Sequence, residues 1–71
     1  MKLYMVFKND EEILIKEFEQ STNLLLIKNW IEDWLNKSEI QYDSIVMYLD
    51  EQNYDDVVIL YGGEAYFLLK K

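Results

Sequence analysis

The sequence predicts a small α+β domain, ordered ββαβββ, with a single helix packed on one face of an antiparallel or mixed five-stranded sheet. Three observations predict it. Segments toward both ends alternate with period 2 and are rich in β-branched and aromatic residues. One central stretch, from Leu24 to about Asn36 or Lys37, switches to a helical period. The pair Gly62-Gly63 separates two apolar runs as a two-residue hairpin turn would. With 71 residues the chain makes one domain, residues 1–71, small enough that its own core gives only marginal stability.

Met1 to Phe7 forms the first strand, with Leu3, Met5 and Phe7 on one side and Lys2, Tyr4, Val6 and Lys8 on the other. Lys8 to Glu11 is a polar turn, and Glu12 to Phe18 returns as the second strand. Here the facing is ambiguous: Ile13 and Ile15 inward leaves Leu14, Lys16 and Phe18 outward. Ser21 or Thr22 suits the helix N-cap, because its hydroxyl can accept from an orphan N–H of the first turn. Within the helix, Leu24, Ile27, Trp30, Ile31, Trp34 and Leu35 fall in one broad arc, opposite Lys28, Asn29, Glu32 and Asp33. Either both tryptophans fill the core, or Trp30, at the arc's edge, reaches a partner. Ser38 to Asp43 connects to a third strand, Ser44 to Leu49, with Ile45, Met47 and Leu49 inward and Val46, Tyr48 and Asp50 away. A loop from Asp50 to Asp55 follows, then a fourth strand, Asp56 to Tyr61, and a fifth, Glu64 to Lys70.

A two-residue turn at Gly62-Gly63 sets Tyr61 opposite Glu64, Ile59 opposite Tyr66 and Val57 opposite Leu68. Val58, Leu60, Ala65, Phe67 and Leu69 would then meet the helix. The other face would collect Tyr4, Val6, Val46, Tyr48, Val57, Ile59, Tyr61, Tyr66 and Leu68. A solvated antiparallel face alternates to polar residues, and this one does not. Contiguous apolar surface of that kind marks an interface, and tyrosine serves it well with a rigid ring and a polar tip. Of these, Tyr4, Tyr48, Ile59, Tyr61, Tyr66 and Leu68, together with Trp30, are the candidate contact residues, and a two-fold contact with a second copy of the chain is the simplest way to cover them.

Fourteen acidic residues stand against seven lysines, a formal net charge of −7 with no arginine. Neither a phosphate backbone nor an anionic membrane would attract such a surface. No apolar run reaches the roughly 18 residues of a membrane span, and no signal-peptide pattern opens the chain. With no cysteine and no histidine, nucleophilic dyads, disulfides and the usual transition-metal sites are excluded. Ser21, Thr22, Ser38 and Ser44 are the remaining hydroxyl nucleophiles, and none sits in an activating context. Asp50 to Asp56 superficially resembles a calcium loop but lacks its central glycine and has Tyr54 at a ligand position. No enzymatic activity and no cofactor are expected.

Asp50, Glu51, Asp55 and Asp56 form a candidate acidic surface that could imitate a phosphate backbone in a basic groove. The residue usage, rich in Lys, Asn, Ile and Tyr with two glycines and no proline, matches AT-rich coding. The expectation is therefore a cytoplasmic, homodimeric interaction protein of a low-GC bacterium or its phage. It would inhibit a host defence or nucleic-acid-processing protein by protein–protein binding, with DNA mimicry as one route. A regulatory or assembly subunit of a bacterial complex is the alternative.

Overall fold

Alternation in the first eighteen residues closes into a hairpin. The computed structural model describes residues 1–50 and 55–71. In it β1 (Lys2–Val6) pairs antiparallel with β2 (Glu12–Glu17). The turn is a three-residue loop: Asp10 N–H donates to Phe7 O at 2.9 Å and Phe7 N–H to Glu11 O at 3.0 Å. Asp10 takes the left-handed φ of 62° that this loop requires. Leu3 faces Lys16 while Tyr4 faces Leu14, so Ile15 is the extra residue of a β-bulge. Beyond the bulge the side chains change face, which brings Phe18 against the core rather than outward.

The helix α1 spans Leu24–Lys37. Its N-cap is Asn23, whose Oδ1 accepts the Leu25 N–H at 2.7 Å, and not Ser21 or Thr22. At the other end Glu39 adopts φ 58°, with Glu39 N–H donating to Asn36 O at 3.1 Å and Ile40 N–H to Leu35 O at 2.9 Å. These two bonds make a Schellman motif that stops the helix without glycine. Ile27, Ile31 and Leu35, four residues apart, are fully buried along one stripe.

Three further strands complete the sheet: β3 (Val46–Leu49), β4 (Val57–Leu60) and β5 (Tyr66–Lys70). The order is β2-β1-β5-β4-β3, and every pairing is antiparallel. The expected α+β class and ββαβββ order are therefore present, with the sheet antiparallel rather than mixed. Because α1 links β2 to β3, the two edges, it crosses the sheet on one side. Leu3, Met5, Val57, Ile59, Phe67 and Leu69 meet Ile27, Ile31 and Leu35 in the core.

The β4–β5 register differs from expectation by one residue. Ile59 lies opposite Phe67, Val58 opposite Leu68 and Val57 opposite Leu69. Five residues, Tyr61 to Ala65, rather than two connect the strands, and every side chain of β4 exchanges faces. Tyr61 accounts for the wider loop. Its ring folds back over Gly63, where an added Cβ would lie 2.3 Å from the ring, and packs 5.5 Å from Phe67. Gly62 supplies the positive φ, 88°. Ile59, at 0% exposure, and Tyr61, at 6%, thus belong to the core, while Val58 and Leu60 take their places on the opposite face.

Candidate interaction surface

The face of the sheet opposite α1 is built in rows across the strands. One row runs Leu14, Tyr4, Leu68, Val58, Tyr48 from β2 to β3. The adjacent row holds Glu12, Val6 and Tyr66, with Leu60 and Val46 continuing it. Apart from Glu12 at the edge, both rows are apolar or tyrosine. The flanking rows are charged. Glu17, Lys2 and Lys70 align at one end. Extending the strand registers by one residue adds Asp56 and Asp50, whose backbones are joined by a 3.0 Å hydrogen bond. At the other end Lys8 and Glu64 form an ion pair at 3.2 Å. An apolar centre with a charged rim is the anatomy of a protein–protein contact surface.

The face is unevenly covered. Lys70 reaches from β5 over the Tyr4 ring, 5.0 Å from its centroid, to Glu12 on β2 at 2.9 Å. Its stem shields that side, and Val6, on the open face by register, is buried. The Glu12 hydrogen bond holds the Lys70 ammonium above its ordinary pKa; partial desolvation opposes it, and the charges of Glu12, Tyr4 and Asp56 add to it. Toward β3 nothing comparable lies on the sheet among the described residues. Val46, Tyr48 (48% exposed) and Leu60 (38%) open to solvent there.

Of the residues expected at the contact, Tyr4, Tyr48, Tyr66 and Leu68 share this face. Ile59 and Tyr61 do not, for the register reason given above. Trp30 is also elsewhere, on the helix side of the sheet. It is half-buried in an aromatic chain, edge-on to Phe18 at 5.8 Å and stacked on Trp34 at 6.5 Å, with Trp34 in turn edge-on to Phe67. Val58, Leu60, Val46 and Leu14 complete the surface, and Val58 and Leu60 are the two that the sequence placed on the wrong side. Their signal was faint because β4 reads Val-Val-Ile-Leu-Tyr, apolar on both parities.

Three of the four residues of the expected acidic surface are described. Asp55 is exposed, Asp50 is half-buried and Asp56 is buried in the rim of the open face. Glu51 and the centre of the calcium-like loop lie outside the described residues. Among the described residues no group of three or more acidic side chains is gathered to hold a metal ion, and no helix is long and apolar enough to cross a membrane. Ser38 caps the C-terminus of α1; Ser21 and Ser44 are exposed on separate connections. No protein-family model, curated protein or solved structure matches the chain.

Proposed function

We propose that this is a non-enzymatic interaction protein whose open sheet face seats on a positively charged protein partner and occupies a surface that partner needs. One observation carries the reading: two adjacent rows of apolar and tyrosine side chains, rimmed by charge, on the face that α1 does not cover. Exposed apolar patches of that continuity mark interfaces on soluble domains. The sign of the partner follows from charge. At −7 the chain repels acidic proteins and steers cationic ones at long range. An inhibitor of a host nucleic-acid-processing or defence protein fits this description, since the working surfaces of such targets are basic. The buried position of Asp56 favours the apolar face over phosphate mimicry as the source of binding energy.

The test is affinity capture from a bacterial lysate with the wild-type chain and with Leu60→Asp. Leu60 is exposed enough to accept a carboxylate without unfolding the sheet, and it lies amid the contact rows. A basic protein retained by the wild type and lost by Leu60→Asp is the expected result. Equal retention by both would overturn the reading.

A further inference from the structure

The two edges of the sheet are unlike. β2 carries Glu12, Lys16 and Glu17 and is kinked by its bulge, the devices by which an edge strand resists pairing. β3 reads Val-Met-Tyr-Leu, with no charge, no proline, no glycine and an unbroken register to β4. In an antiparallel pair, successive residues aim their N–H and C=O groups alternately at one neighbour and the other. Asp50 N–H bonds to Asp56 O, so Asp50, Tyr48 and Val46 address β4. Leu49, Met47 and, by continuation, Ile45 aim their backbone groups outward. Among the described residues no strand receives them. Leu49 adds a second sign: it lies on the helix side by register yet is 54% exposed, because α1 leaves that edge uncovered.

We propose that β3 is a strand-pairing edge occupied by a second copy of this chain, antiparallel about a two-fold axis at Met47. The register follows from side-chain chemistry. Residues directly opposite in an antiparallel pair point to the same face, so each outward-facing residue must meet one of its own parity. Centring the axis on Met47 sets Ile45 opposite Leu49 and Val46 opposite Tyr48, apolar on apolar throughout. Centring it on Tyr48 sets Val46 against Asp50, and centring it on Val46 sets Leu49 against Asp43. Only the Met47 centre keeps carboxylates out of the seam. It also joins the outward groups of Ile45, Met47 and Leu49 in about six backbone hydrogen bonds.

The pairing makes one ten-stranded sheet with both open faces on the same side. Val46, Tyr48 and Leu60, the most exposed part of each face on this side, become its centre. Five strands about 4.8 Å apart and four to six residues long cover roughly 400 Å² of sheet plane. Two copies give roughly 800 Å², one partner's share of a standard protein–protein interface. The inference goes beyond the proposed function and stands or falls separately from it, since it concerns oligomeric state rather than capture.

Sedimentation of the full-length chain from about 1 to about 500 μM tests it, because a self-association shifts with concentration by mass action. The wild type should convert from monomer to dimer. Leu49→Lys, at an exposed side chain, should raise the dissociation constant at least about tenfold. Met47→Pro should abolish the dimer, since its N–H points away from β4 and proline is tolerated on such an edge. Leu60→Asp, one strand in from the seam, should dimerise as the wild type does. A wild type that stays monomeric throughout would overturn the proposal. So would a dimer that survives Leu49→Lys but is lost in Leu60→Asp, which would indicate face-to-face packing.

Discussion

Truncating Ile59 and its neighbour Leu60 to alanine tests the β4 register, on which the composition of the open face depends. Ile59 lies between Met47 and Phe67 on the helix side and is fully buried. Removing its outer carbons leaves a cavity that the surrounding core only partly refills, a loss of about 3 kcal/mol within the usual span of roughly 2–5. Leu60 is 38% exposed on the other side. Water fills the space it vacates, so only part of its transfer free energy is lost, about 1 kcal/mol. A chain of this length holds on the order of 4–10 kcal/mol in total. Ile59→Ala should therefore approach the limit of folding, while Leu60→Ala should remain comfortably folded. Urea titration at one fixed protein concentration, followed by tryptophan fluorescence, reads both, because Trp34 packs on Phe67 directly beside the Ile59 site. With a slope of about 1 kcal/mol/M, the midpoints should fall by roughly 3 M and 1 M. A loss at Leu60 equal to or larger than that at Ile59 would refute the register and return Ile59 to the open face.

Three other perturbations follow from local geometry. Gly63→Ala places a Cβ 2.3 Å from the Tyr61 ring, so the ring must leave Phe67, and a thermal melt should show a loss of about 1–3 kcal/mol. Asn23→Ala should cost about 1 kcal/mol in the same assay, and Ser21→Ala close to nothing; the reverse ranking would move the cap. Lys70 has a folded-state pKa above its ordinary value, so its pairing with Glu12 stabilises the fold from neutral pH up to the ordinary lysine range. That contribution should disappear as pH rises through the raised value, and Glu12→Gln should remove this alkaline dependence while leaving the curve between pH 6 and 9 unchanged in shape.

Much of the architecture was legible because period and punctuation agreed. Leu3 and Met5 alternate with Tyr4 and Val6, Ile27, Ile31 and Leu35 recur every four residues, and Gly62-Gly63 marks a turn. The first two patterns have one structural solution, and the third places a turn without fixing its length. The failures lie where pattern and geometry part. Both parities of β4 are apolar, so hydropathy carried no information about which faced the helix, and the choice rested wholly on turn length. That length was set by Tyr61 folding over Gly63, a tertiary contact that no local rule contains. Phe18 misled for a similar reason, since a bulge at Ile15 inverts everything after it. Within the candidate surface, Tyr4, Tyr48, Tyr66 and Leu68 were legible from alternation alone. The Lys70 side chain laid across Tyr4 to Glu12 was not, because it joins three strands whose order the sequence does not state. The unlike edges became visible only once that order placed β2 and β3 at the two ends.

Tyrosine footprinting of the captured complex tests the central claim most directly. Tyr48 is exposed on the open face, Tyr66 lies on the same face two strands away in the adjacent row, and Tyr42 packs against the core from the helix side. Nitration of the free chain and of the complex, read residue by residue, separates the two sides of the sheet. Strong protection of Tyr48 and Tyr66 in the complex, with Tyr42 modified at its free rate, is the outcome the open face requires. Protection of Tyr42 with Tyr48 as reactive as in the free chain would contradict it.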